Sequence, residues 1–167
     1  VTTCGGRRTE WEPLRWRHRR ARGSGRPDEE GQMKTTARVL LYSDDRVTRE
    51  QVRLALGKKV AADLPELDVF EVATQPVVLQ TMDAGGIDLV ILDGEATPSG
   101  GMGLCHQLKN EITDCPPVLL LVARVADAWL ATWSEADAIT PYPVDPVRLP
   151  AAAADLLRAR LSQEATA

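Results

Sequence analysis

Three carboxylates raise the chemical question. Asp44 and Asp45 follow the apolar stretch "ARVLLYS", and Asp93 ends "IDLVILD". Acids that converge repel and raise each other's pKa unless a cation lies between them. Carboxylate oxygens suit Mg²⁺, which keeps some of its waters and also takes phosphate oxygens. A carboxylate beside such a metal can attack a phosphoryl group as a nucleophile. The plainer alternative is a set of solvated strand-end acids, because loops are where acids normally sit. The choice depends on whether the chain brings Asp44 and Asp93 together.

The order of elements predicts that it does. "ARVLLYS", "DVFEVAT", "IDLVILD", "PPVLLLVA" and "DAIT" read as strands. Between and after them, "VTREQVRLAL", "PVVLQTMDAGG", "GMGLCHQLKNEI", "VADAWLATWSEA" and "DPVRLPAAAADLLRARLSQ" read as helices. Thr48 is the expected cap of the first helix, with Val47, Val52, Leu54 and Leu56 as its apolar positions. Gly85-Gly86 stop the second. Leu149, Ala153, Leu156, Leu157 and Leu161 form one stripe on the last. The third and fourth strands are continuously apolar, as expected of strands buried on both faces. Five strands alternating with five helices predict an α/β fold, a doubly wound five-stranded parallel sheet with helices on both faces; the expected order is the flavodoxin-like 2-1-3-4-5, one of the common orders of such sheets. In such a sheet the first and third strands are neighbours. Ligand sites then lie beyond the carboxyl ends of the strands.

Composition sets the frame. The chain of 167 residues has 44% apolar and 26% charged residues, as in an ordinary globular domain. The longest apolar run, Val118 to Ala123, is far too short to span a membrane. No stretch resembles a signal peptide. Cys4, Cys105 and Cys115 have neither a zinc spacing nor a CxxC, and are expected to be reduced thiols of a cytoplasmic protein. Residues 1–34 carry nine Lys/Arg against five Asp/Glu, while the whole chain has a net charge of −4. That asymmetry predicts three parts: a disordered basic extension (1–34), one domain (35–162) and a short tail (163–167). Nucleic-acid binding through Trp11, Trp16 and the arginines of the extension is the functional alternative to a plain unstructured arm, which is favoured.

The residues at the strand ends resemble the receiver domain of bacterial response regulators over roughly Arg38 to Arg160. "LDGEATPSGGMGLCHQLK" is similar to that family's phosphoacceptor segment, with Asp93 as the acceptor and Gly101 eight residues later. "LLYSDDRVTREQV" is similar to its first strand and acidic pocket, and "ADAITPYPVDPVRL" to its last strand and the start of its final helix. The resemblance implies phosphorylation of Asp93 by a histidine kinase, in two-component signalling. It also implies Mg²⁺ held by Asp44, Asp93 and the backbone carbonyl of Glu95. Asp45 then lies outside the metal's first shell.

The departures from the family pattern fall at the same site. Ser43 stands where the family has its first acid. Val122 stands where it has Thr or Ser, and offers no hydroxyl. Tyr142 stands where it has lysine, so a neutral phenol replaces a full charge. Ile139 replaces the aromatic residue that reports the switch, and Ala96 and Thr97 replace the Met-Pro after the acceptor. These departures predict impaired phosphorylation and a pseudo-receiver that works by docking to other proteins. Tyr142-Pro143 is expected to be cis.

Other features have weaker meanings. Gly100, Gly101 and Gly103 are better explained as turn glycines than as a phosphate cradle. "LDGEAT" is also similar to the DxDxT motif of haloacid dehalogenase-type phosphatases, which makes a Mg²⁺-dependent phosphatase the enzymatic alternative. Lys109 is the only lysine after Asp93 that could serve it. His106 reads as a helix-surface residue. Trp129 and Trp133, at i,i+4, share one face of the expected fourth helix. They serve either the core or a partner face, including a homodimer through the fourth and fifth helices.

Overall fold

The computed structural model describes residues 34–123, 129 and 133–166. The elements run β1 (Thr36–Tyr42), α1 (Arg46–Leu56), β2 (Glu66–Val72), α2 (Gln75–Ala84), β3 (Leu89–Asp93), α3 (Gly101–Glu111), β4 (Val118–Val122), β5 (Ala138–Pro141) and α4 (Arg148–Glu164). All strands are parallel, in the order β2-β1-β3-β4-β5. The expected sheet and its order are both present. The basic extension lies outside the described residues. So does most of the expected helix between β4 and β5, of which Trp129 and Trp133 are described, both helical.

Alternation along the strands divides the core into two layers. Leu40, Tyr42, Val90, Leu92, Leu120 and Val122 pack with Val78, Met82, Leu104 and Leu108 of α2 and α3. Val39, Leu41, Leu89, Ile91, Leu119 and Leu121 pack with Val52 and Leu56 of α1 and with Leu149, Ala153 and Leu157 of α4. Every residue of β3 and β4 is buried, as the unbroken apolar runs predict. β2 is an edge strand, and Phe70 on it is 43% exposed.

Helix α1 corrects the sequence reading in two ways. Its cap is Asp45, whose carboxylate accepts from the N–H groups of Val47 and Thr48 and from the Thr48 hydroxyl. Thr48 lies inside the helix instead, buried with Val52 and Leu56 at i, i+4 and i+8. Val47 and Leu54 face solvent at 58% and 69% exposure. They lie off the stripe that the 3.6-residue period allows. The final helix matches better: Leu149, Ala153 and Leu157 are buried, with Leu156 and Leu161 at the margin.

The amino-terminal edge of the sheet is fastened by ion pairs. Asp88, 1% exposed, pairs with Lys34 and accepts from the Arg38 N–H at 2.7 Å. Lys34 also lies 3.6 Å from Glu164 at the end of α4. Arg160 forms a two-pronged pair with Asp114 at 2.7 and 2.8 Å.

Leu119→Ala should cost about 2–5 kcal/mol of unfolding free energy, since it opens a cavity under α1 and α4. Leu54→Ala should stay within about 0.5 kcal/mol. Urea melts of both variants compare the core beneath α1 with the solvent face of that helix. Cys105 is wholly buried, and burial pushes its thiol up to about 12. A thiol alkylator at mildly alkaline pH should therefore label Cys105 only after denaturation, as read by peptide mapping.

Candidate functional site

The strand register explains why Ser43 meets Asp93. Tyr42 pairs with Leu92, so the next residue of each strand falls side by side at the carboxyl edge of the sheet. Asp93 is 2% exposed and Ser43 is fully buried. The Ser43 hydroxyl donates to Asp93 Oδ2 at 2.7 Å, and the Glu95 N–H donates to Oδ1 at 3.0 Å. Ser43 Oγ in turn accepts from the Asp45 N–H at 3.1 Å. A carboxylate this deep requires such donors, because an unpaired buried charge costs several kcal/mol or more.

Alternation also decides which groups share the pocket. Asp93 continues the series Leu89, Ile91, so it leaves β3 on the side of α1 and α4. Tyr142 packs against the same layer. Its phenol oxygen is buried without a hydrogen-bond partner. It stands beside Asp93 and Thr48. Burial first, and the Asp93 carboxylate second, raise the phenol well above the ordinary tyrosine range, so it stays protonated. Val122 lies on the other side of the sheet, in the α2/α3 layer at 1% exposure, and contributes only apolar packing.

Asp44 sits at the rim. Its Oδ2 accepts from the Thr97 hydroxyl at 2.8 Å, and that bond lowers its pKa. Asp44 and Asp93 both lie close enough to Tyr42 that, after burial, their charges raise that phenol. Tyr42 donates to the Ser99 carbonyl at 2.6 Å, so β1 and the turn after it hold the β3–α3 loop at two points, Ser99 through Tyr42 and Thr97 through Asp44. Arg49 spans the opposite rim. It donates to the Ser43 carbonyl at 2.6 Å and pairs with Glu71 at 3.3 Å.

Two glycines let the loop approach this closely. A Cβ on Gly94 would come within 2.6 Å of the Leu121 carbonyl oxygen, and one on Gly101 would overlap the backbone carbonyl of Asp93 itself. Gly101 is thus needed for α3 to start directly against the acidic residue. The peptide bonds Thr97–Pro98 and Tyr142–Pro143 are cis, the second as predicted.

Among the described residues, no three His, Cys, Asp or Glu side chains gather into a metal-holding group. Two carboxylates, Asp44 and Asp93, and a backbone carbonyl remain. Such an oxygen set fits Mg²⁺, which often takes one or two carboxylates and completes its shell with water and phosphate. Lys109, the lysine a phosphatase reading needs, pairs with Asp137 at 2.5 Å. Asp137 also accepts from the Val118 N–H at 2.7 Å, at the edge of the sheet remote from Asp93. Trp129 and Trp133 are 68% and 55% exposed, which overturns the core alternative for the pair. Trp133 stacks on His106, with ring centres 4.6 Å apart and planes at 18°.

Sequence reasoning missed four contacts: Ser43 to Asp93, Thr97 to Asp44, Tyr42 to Ser99, and the place of Thr48 beside Tyr142. The first was available from register alone, given two adjacent parallel strands ending at the same level. The rest depend on the course of loops that no periodicity encodes.

No protein-family model matches the chain. A response regulatory protein of Mycobacterium tuberculosis, recorded in two strains, is 57% identical over 125 residues, which are 75% of this chain and 94% of the relative. Among solved structures, the chain is similar to the signal receiver domain of an HD domain-containing protein from Pseudomonas fluorescens. The TM-score is 0.66 and the identity 18%, over 81% of this chain and 97% of the other. It is also similar to the receiver domain of a Francisella response regulator, with a TM-score of 0.63 and 16% identity over 74% and 98% of the two chains. At such identities these structures bear on the fold alone.

Ser43→Ala should leave Asp93 Oδ2 without its donor and cost about 1–3 kcal/mol. Gly101→Ala should cost a similar amount, about 1–3 kcal/mol, because the new methyl group must push α3 away from Asp93. Denaturant unfolding measures both losses. Amide shifts around residues 93–95 should move in both variants.

Proposed function

The chain belongs to the response-regulator family, and we propose on that premise that it is a receiver-type signalling module that docks to a partner protein, with Asp93 as a slow phosphoacceptor. The observation that carries this reading is the Asp93 carboxylate itself. It closes β3 at the carboxyl edge of the sheet, where a doubly wound fold builds its sites, and two neutral donors fix its orientation. An oxygen of Asp93 attacks the phosphorus of a donor such as a phosphohistidine or an acyl phosphate. The bond from phosphorus to the donor atom breaks, the leaving group keeps the electron pair, and an aspartyl phosphate remains.

When bound, Mg²⁺ would neutralise charge on the transferring group. Asp44, Asp93 and the Glu95 carbonyl are the groups that would hold it. To do so Asp44 must give up the Thr97 hydroxyl, and Asp93 must share an oxygen now held by Ser43 or Glu95. Only two carboxylates serve the metal, since Ser43 stands in for a third. Both facts predict weak metal binding and slow transfer. The histidine kinase that supplies the phosphoryl group is the expected partner. The exposed pair Trp129 and Trp133 is the expected docking face, shared with a second copy or with another signalling protein. The phosphatase alternative loses its lysine to Asp137. No helix among the described residues is long and apolar enough to cross a membrane.

Incubation with Mg²⁺ and acetyl phosphate should add one phosphoryl group to the wild-type chain and none to Asp93→Asn, as read by intact-protein mass spectrometry. A wild-type chain that stays unlabelled would remove the acceptor role and leave docking alone.

A further inference from the structure

We infer that the Thr97 hydroxyl competes with Mg²⁺ for Asp44, so that filling the metal site releases the β3–α3 loop and is felt on the α2–α3 face. The inference rests on the metal set proposed above and concerns the regulation of that same site.

Thr97 departs from the receiver pattern in a way that creates a bond. With Ala96 it replaces Met-Pro, and neither of those side chains can donate a hydrogen bond. Here the Thr97 hydroxyl donates to Asp44 Oδ2 at 2.8 Å. Both residues are exposed, so water could satisfy either group alone. The bond therefore acts on position: it ties the loop to the turn after β1. Mg²⁺ asks for the same carboxylate. An Asp44 that turns to a metal shared with Asp93 leaves the Thr97 hydroxyl to water.

The released segment is wired to two helices. Besides the Thr97 bond, the Tyr42 hydroxyl holds the Ser99 carbonyl at 2.6 Å, and the Ser99 hydroxyl donates to Gln75 Oε1 at 2.6 Å. The Gln75 amide donates in turn to Gln107 Oε1 at 3.0 Å, and the Gln107 amide reaches the Glu111 carboxylate at 3.2 Å. Gln75 opens α2, and Gln107 lies midway along α3. Gln107 follows His106, whose ring stacks on Trp133. A shift of Ser99 thus disturbs polar contacts of both helices, on the side of the sheet away from α1 and α4. Val122 and Ile139, being apolar, offer no hydrogen bond between the acidic pocket and this face; the loop does. A series of bonds is a route only if its ends are coupled, and that coupling is measurable.

The test titrates Mg²⁺ alone into the full chain, with no phosphodonor, and follows it by NMR. Backbone amide signals of residues 93–99 give the affinity, and the side-chain amide of Gln75 gives the distant response. Thr97→Val, which keeps the branched shape, should bind Mg²⁺ about threefold more tightly than wild type. Before any metal is added, its Gln75 signals should lie shifted towards the metal-bound wild-type position. Thr97→Ser, which keeps the hydroxyl, should behave as wild type. Equal or weaker affinity in Thr97→Val overturns the inference, and so do wild-type Gln75 signals that Mg²⁺ leaves unmoved. If Thr97→Val does not fold, the Gln75 response of the wild type decides alone. A wild-type chain that binds no Mg²⁺ removes the metal set and this inference together. An adduct on Asp93 in the acetyl phosphate experiment separates that failure from a failure of the acceptor reading.

Discussion

A carboxylate at 2% exposure must be given donors by the chain around it, and much of the carboxyl edge of this sheet is arranged to supply them. The register of β1 against β3 sets Ser43 beside Asp93. The tight turn after β3 returns the Glu95 N–H to the same group. That turn in turn requires Gly94 to pass Leu121 and Gly101 to open α3 without a side chain. Tyr42 and Asp44 then tie the loop back to the first strand. One buried carboxyl group thereby organises the local geometry of two strands, one loop and the start of a helix.

The fold was legible because its signals are repetitive. The unbroken apolar runs of β3 and β4 and the alternation of strands with helices point to a doubly wound parallel sheet, while the order of its strands is not encoded in either signal. Helix α1 was read less well. Thr48 and Asp45 are both good capping types, and only the backbone shows that Asp45, three residues earlier, is the extended one. Val47 and Leu54 are apolar by type, yet both face water. Apolar residues on a surface are common enough that type alone does not settle burial.

The candidate site was legible residue by residue but not in its wiring. Asp93, Asp44, Ser43 and Tyr142 were all marked by their positions at strand ends. What the sequence concealed was direction. By position alone Val122 and Tyr142 both belong to the pocket of Asp93, but alternation sends Val122 to the α2/α3 layer and Tyr142 to the α1/α4 layer with Asp93. A single shift of one position along a strand moves a side chain to the opposite face. Aligned positions therefore say little about which side chains meet until the faces are assigned.

Lys34, ahead of β1, reaches both Asp88 and Glu164 at the far end of α4. The backbone therefore comes into this domain and goes out of it at one spot, on the edge of the sheet away from Asp93. The loops that carry Asp93 lie at the pole opposite that junction.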